Sequence, residues 1–178
     1  METLRNTNQV YLTTGDPATS VETTQFRPSD LGQTYTNSVG RWRKVQMDSV
    51  ATQAIATKIP LYIKDRNNFV VSTDLTDSEG EGNTPAGVIP VGSTLPTVSQ
   101  YFWMLERGPA ITMAGGVVNF AAVGGWITSA AVGVVTYTAP GTAAPRATYG
   151  TVQTAVDRSG GAGDVVVDLN VNTGIWPI

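Results

Sequence analysis

The sequence predicts an all-β fold, with a single β-sandwich or small β-barrel as the body and an extended N-terminal arm. Short runs of β-branched and aromatic residues recur along the chain, separated by turn residues at the spacing of such folds. Glycines cut the uncharged stretch 108–145 into segments too short for capped helices. Near the C-terminus, Val165, Val167, Leu169 and Val171 lie on one face of an alternating segment, as in a half-buried strand.

The 178 residues suffice for one body with a buried core, residues 31–178, preceded by the arm at 1–30. The arm contains Pro17, Pro28 and few large apolar groups, which is typical of an extended segment that wraps a neighbour or stays free. Its polar start shows no secretory signal peptide. The C-terminal residues 174–178 are so apolar that we expect this tail to dock on the body or on another copy.

A first hairpin is predicted at the start of the body. Its strands, at 33–36 and 41–45, flank the turn 37–40. Trp42 and Val45 are an odd number of residues apart, so their side chains point to opposite faces of the second of these strands. We therefore expect either a β-bulge or a strand whose two faces are both partly covered.

A second hairpin and two further strands follow. Residues 61–63 and 69–71 flank a polar link rich in residues that tolerate tight turns. After the acidic, glycine-rich loop 73–85, residues 86–91 predict a short apolar strand. The segment 100–106 holds five consecutive apolar residues, which is typical of a strand covered on both faces.

The uncharged stretch predicts four more short strands. Its segment 110–135 is apolar enough to raise a membrane span as an alternative, but glycines and polar residues interrupt it. Only residues 49–58 could pass for a short helix, and their Thr and Ile content argues against even this one. The strands are predicted near 110–113, 116–121, 125–129 and 132–138.

The chain contains no histidine and no cysteine. It therefore lacks the usual proton shuttle near neutral pH, the usual thiol nucleophile and any disulfide. We expect no enzymatic activity, no cofactor and no metal. Only 14% of the residues are charged, against ~25% in average soluble domains, so small polar residues must cover the surface. Such a surface suits packing against neighbouring subunits.

The charge distribution argues against nucleic acid as a partner. The net charge is −3, whereas phosphate binding needs an excess of Lys and Arg on one face. Six of the eleven basic residues nevertheless fall within 41–66, and four acids follow within 74–81. This polarity could orient contacts between copies, although a solvated surface is the simpler interpretation.

Two arrangements of carboxylates could carry chemistry. The acidic loop fails the EF-hand calcium pattern, because the twelfth position counted from Asp77 is Val88 instead of glutamate. A hydrolase with paired carboxylates stays open as an alternative, but nothing in the sequence selects a pair. The scattered acids are Asp48, Glu106, Asp157, Asp164 and Asp168.

The aromatic residues are better candidates for binding. Trp42 lies between Arg41 and Arg43, where it could stack on a base or sugar, anchor a protein interface, or be buried in the core. Tyr101 and Trp103 are expected mainly in the core, because their segment is too apolar to face water alone. The candidate intersubunit contacts are Arg5, Tyr11, Phe26, Arg41, Trp42, Arg43, Tyr101, Trp103 and Trp176.

Three segments give the chain a resemblance to a known family. They are Leu31-Gly-Gln-Thr-Tyr-Thr-Asn-Ser-Val-Gly-Arg-Trp-Arg-Lys-Val45, Ala86-Gly-Val-Ile-Pro90 and Gln100-Tyr-Phe-Trp-Met-Leu-Glu-Arg-Gly-Pro-Ala110. In this order they resemble the capsid decoration, or cement, proteins encoded in the head-gene region of tailed phages. In that class an LGQTYT hairpin precedes AGV and then an aromatic strand ending in glycine. The resemblance covers residues 31–171.

The resemblance implies a β-rich body that assembles as a homotrimer on the outside of an icosahedral head. Its partners would be the major capsid protein, whose subunits it bridges, and other copies of itself, with neither nucleic acid nor membrane. The N-terminal arm would become ordered only on assembly. The alternative is another virion module, such as a fibre, adhesin or carbohydrate-binding β-sandwich, that uses Trp42 or Tyr101 as a stacking platform.

Overall fold

The computed structural model of the chain confirms the all-β fold class. It describes residues 31–50, 53–75, 84–131, 133–142, 145 and 147–171, together with the backbone of Val21–Glu22. These residues contain thirteen strands and no α-helix. In chain order the strands are β1 (Val21–Glu22), β2 (Thr34–Thr36), β3 (Arg41–Met47), β4 (Pro60–Asp65), β5 (Val70–Ser72), β6 (Pro85–Val88), β7 (Tyr101–Gly115), β8 (Asn119–Phe120), β9 (Trp126–Ala131), β10 (Val134–Thr138), β11 (Gly150–Thr154), β12 (Val156–Asp157) and β13 (Gly163–Asn170).

Five of the strands close into a small barrel. Strand β7 pairs with β13, β13 with β11, β11 with β9, and β9 with β10. The ring is completed where Val135 of β10 pairs in parallel with Gly115 of β7. We call these five strands the barrel. A small barrel is the second of the two architectures that the sequence predicts.

Four of the strands that precede β7 in the chain form a second closed set with it. Strands β6, β4, β5 and β3 pair in that order, and both β6 and β3 pair with β7. Leu105 of β7 pairs with Trp42 of β3 on one side and with Val88 of β6 on the other. We call these four strands and β7 the N-terminal ring. Strand β7 therefore belongs to both closed sets of strands.

Strand β7 is one continuous strand where the sequence predicts two strands with a break between them. The sequence predicts separate strands at 100–106 and 110–113, and this separation is wrong. Pro109 and Ala110 lie opposite the single residue Asp168 of β13, and Ala110 has a φ of 55°. This β-bulge accommodates a proline, which has no N–H to donate, so the strand bends instead of ending.

Two apolar cores lie on opposite faces of β7. Alternate residues of the strand face them, with Trp103 and Leu105 in the first core and Phe102 and Met104 in the second. The aromatic segment is therefore covered on both faces, as predicted. The first core continues into the barrel, and the second is enclosed by residues of the N-terminal ring.

Strand β3 shows both features that its sequence left open. Its register against β7 shifts between Arg41 and Trp42. The four residues 42–45 are all buried, with Trp42 in the first core and Val45 in the second. The two predicted hairpins are present as β2–β3 and β4–β5.

The C-terminal part of the body is only partly as predicted. The last strand alternates as expected, with Val165, Val167 and Leu169 buried. Strands β11 and β12 are not predicted from the sequence, because their segments contain no apolar run. Just before β11, the buried Tyr149 donates a hydrogen bond from Oη to the carbonyl oxygen of Leu61, 2.8 Å away, which ties the barrel to β4.

Several predicted features fall wholly or partly outside the described residues. The arm at 1–30 is described only at Val21–Glu22, where the backbone pairs with Tyr101 and Phe102. The tail at 174–178 lies outside the description. The described residues of 110–135 form strands and turns, and no described helix is long and apolar enough to span a membrane. Residues 53–58 are not helical.

Candidate functional site

Exposed apolar side chains gather in the loop that joins β6 to β7. We call residues 90–99 the apolar loop. Its Val91, Leu95 and Val98 are 60%, 42% and 43% exposed. Single exposed apolar residues are ordinary on protein surfaces, whereas several on one loop are typical of contacts with other molecules. The apolar loop is therefore the first candidate site.

Hydrogen bonds fix the C-terminal end of the apolar loop. The Ser99 N–H donates to the carbonyl oxygen of Met47 at 3.1 Å, and Gln46 Nε2 donates to the carbonyl oxygen of Ser99 at 3.0 Å. The Thr97 N–H donates to Gln100 Oε1 at 2.8 Å. A loop that is already held in place loses less conformational entropy on binding. The exposed apolar side chains thus project from a loop whose C-terminal end is already held in place by hydrogen bonds.

A small pocket of about 200 Å³ borders the apolar loop at Ser99. Inside it, Lys64 Nζ donates to Asp48 Oδ2 at 2.7 Å, and the Asp48 side chain is only 5% exposed. Val50, which follows two residues later, is 56% exposed. The surface thus combines an ion pair with apolar groups. The pocket is lined by Gln46, Met47, Asp48, Ser49, Lys64, Asp65, Val70 and Ser99.

A buried carboxylate lies between two arginines where β3 meets β7. Glu106 is fully buried, and its Oε1 accepts a hydrogen bond from Arg43 Nε. Arg41 Nε lies 3.4 Å from Glu106 Oε2, in ion-pair contact without hydrogen-bond geometry. Burial raises the pKa of Glu106, while Arg43 and Arg41 oppose the rise by favouring the carboxylate. This group links the two strands, because both arginines belong to β3 and Glu106 belongs to β7.

The predicted contact residues fall into three groups. Trp42, Arg43 and Trp103 are buried within the chain itself. Of the three roles predicted for Trp42, the structure therefore shows burial in the core. Its indole has no exposed surface that could contact a base, a sugar or another copy. Arg41 and Tyr101 are partly exposed, and their contact with another copy stays a prediction. The residues outside the description are Arg5, Tyr11, Phe26 and Trp176.

The barrel surface carries a second candidate site, a cleft of about 390 Å³. Its aromatic residue is the partly exposed Trp126 of β9, which is not among the binding residues predicted from the sequence. The one available signal is the neighbouring Ile127, since an apolar residue buried in a strand turns its neighbour to the other face. The cleft is lined by Arg107, Trp126, Thr148, Gly150, Thr151, Asp168, Asn170 and Val171.

Several of the acids considered for catalysis are paired with basic side chains. Three of them form the ion pairs Arg43–Glu106, Lys64–Asp48 and Lys58–Asp164. Asp168 is the single acid in the described lining of the cleft, so that lining contains no pair of carboxylates. Among the described residues no group of three or more potential ligands is placed to hold a metal ion. Most of the acidic loop lies outside the description.

These features define an all-β protein with a closed five-stranded barrel, an exposed apolar loop and a polar cleft that contains one tryptophan. No family model, no curated protein and no solved structure matches the chain. A function must therefore be argued from the residues themselves.

Proposed function

We propose that the protein is a capsid decoration, or cement, protein of a tailed phage. It binds the outer surface of the icosahedral head as a homotrimer and bridges subunits of the major capsid protein. Two observations support this proposal: the resemblance of three segments to that family, and the exposed side chains of the apolar loop. The apolar loop is the structural observation that carries it.

The three segments that resemble the family form one unit of the fold. The first contains β2 and most of β3, the second contains most of β6, and the third contains the first part of β7. Both β3 and β6 pair directly with β7. The apolar loop connects the second segment to the third. The resemblance and the candidate contact surface thus belong to the same part of the molecule.

A cement protein acts through contact area. Apolar side chains on a loop that is already held in place can enter a seam between shell subunits at small entropic cost. Each contact is weak, but a trimer makes three of them, and many trimers bind one head. Because the protein binds the assembled shell, it stabilises that state against the outward pressure of packaged DNA.

Replacing Val91, Leu95 and Val98 together by serine is expected to weaken attachment to the head at least about tenfold. Burying three apolar side chains contributes more than the roughly 1.4 kcal/mol that corresponds to a factor of ten. The fold should remain intact, because these side chains are exposed in the single chain. Co-sedimentation of the purified protein with heads that lack it measures attachment, and circular dichroism reports the fold.

The matched control replaces Val117 and Val123 by serine. Both valines are 64% exposed, and neither belongs to the apolar loop. This variant should attach as well as the original protein. An equal loss in both variants, or no loss in the apolar-loop variant, would remove the apolar loop from the mechanism.

Electron cryo-microscopy of intact particles tests the function itself. We expect density for the protein outside the shell, at threefold positions between major capsid subunits. Light scattering of the purified protein should give the mass of a trimer. Density confined to the tail or connector, or particles that contain no copy of the protein, would overturn the proposal.

A further inference from the structure

A row of side chains crosses three strands on the outer face of the barrel. Trp126 of β9 pairs with Thr151 of β11, and Thr151 pairs with Asp168 of β13. Directly opposed residues of antiparallel strands project from the same face. The next residues along these strands, such as Ile127 and Leu169, are buried. The row that contains Trp126 therefore faces solvent.

A second pair of polar residues extends this row. Asn170 follows Asp168 by two residues and pairs with Arg107 of β7. Arg107 Nε donates to Asn170 Oδ1 at 3.0 Å. Beside them, Gly150 has a φ of +142°, and a Cβ there would lie 2.0 Å from the carbonyl oxygen of Asp168. Glycine thus lets β11 approach β13 closely beside the cleft.

The size of the cleft limits what it can hold. Its volume of about 390 Å³ is within the range of sites for small ligands. With neighbouring strands about 4.8 Å apart, the backbones at Trp126 and Asp168 are separated by about 10 Å. A ligand made of a few small rings joined in a chain is long enough to cross this distance.

We propose that this cleft binds a neutral glycan built from pyranose rings. The indole of Trp126 offers an electron-rich face, and the C–H face of a sugar ring packs on such a surface. Asp168 accepts hydrogen bonds, Arg107 donates them, and Thr151 and Asn170 can do both. A sugar hydroxyl also donates and accepts. A ligand rich in hydroxyls therefore matches this mixture of groups.

The charges of the cleft favour a neutral ligand. The lining contains one guanidinium, Arg107, and one carboxylate, Asp168, so the two charges balance and give no net attraction for an anionic or a cationic sugar. Both side chains are exposed and lie on the neighbouring strands β13 and β7, so both can reach a ligand in the cleft. A purely apolar ligand would cover these polar groups without pairing them. The inference does not depend on attachment to a capsid, and either proposal can fail without the other.

Titration of the isotope-labelled full-length protein, followed by NMR, tests the inference. The probes are maltohexaose, cellohexaose, mannohexaose and chitohexaose. We expect at least one of them to shift the indole N–H signal of Trp126 and the backbone amide signals of Thr151 and Asp168. Trp126→Ala and Asp168→Asn should each weaken this binding at least about tenfold.

Val117→Ala is the control, because it truncates an exposed side chain that does not line the cleft. This variant should bind as the original protein does. Asp168→Asn keeps the shape of an exposed side chain, so it reports on binding even if Trp126→Ala fails to fold. The inference is overturned if none of the four oligosaccharides shifts the Trp126 signal, or if an anionic heparin hexasaccharide binds more tightly.

Discussion

Replacing Glu106 by alanine is expected to lower the free energy of unfolding by about 3 to 5 kcal/mol. The carboxylate is fully buried, accepts a hydrogen bond from Arg43 and lies 3.4 Å from Arg41 Nε. The variant would keep the charge of Arg43, whose side chain is only 7% exposed, in the interior without its carboxylate. Urea denaturation followed by far-ultraviolet circular dichroism measures the loss.

The pair Lys58–Asp164 provides the control for this prediction. Its charged atoms are 2.7 Å apart, but the side chains are 32% and 51% exposed. Water already solvates these charges, so Asp164→Ala should cost less than about 1 kcal/mol. A loss for Glu106→Ala as small as that of the control would contradict the prediction and show that water reaches Arg43 in the variant.

The second large effect is expected for Trp42→Ala, which should cost about 3 to 5 kcal/mol. The indole is fully buried in the first core, and its Nε1 donates to Asn37 Oδ1 at 3.0 Å. Truncation leaves a cavity between β3 and its neighbours. Asn37 Oδ1 also accepts from the N–H groups of Val39 and Gly40, so the turn itself should survive. The same denaturation experiment gives the magnitude.

Two further variants separate the causes of this loss. Trp42→Phe keeps a ring in the core and removes the N–H donor, so it should lose less than half as much stability as Trp42→Ala. Val117→Ala, at a residue 64% exposed, should stay within about 0.5 kcal/mol of the original protein. If Trp42→Ala were as stable as Val117→Ala, the core would have to collapse around the missing ring. That result would contradict the packing described for β3.

Local patterns explain why both hairpins and the last strand could be predicted. Turn residues and the period of two between apolar residues are readable over a few neighbours, as in β2–β3, β4–β5 and β13. The continuation of β7 through Pro109 is different, because it depends on Asp168 in a strand far along the chain. Barrel closure likewise depends on the distant pair Val135 and Gly115. Such pairings leave no local signal.

The candidate sites were harder to predict than the fold. A tryptophan between two arginines has the same local sequence whether it is buried or anchors an interface, and only its complete burial decides the role of Trp42. Trp126 gains its polar neighbours from two other strands, β11 and β13. The apolar loop is marked by exposure, which sequence alone does not give. These sites therefore follow from the arrangement of strands.

The shared strand β7 sets the earliest moment at which the chain can fold during its synthesis. Strands β2 to β6 leave the ribosome first, and they cannot close the N-terminal ring until residues 101–107 arrive. Until then the edges of β3 and β6 stay open to pairing with other nascent chains. The barrel must wait still longer for β13, the last strand that the described residues contain. We therefore expect slow folding, in the range of about milliseconds to seconds, because both closed sets depend on pairings between strands that are distant in the chain.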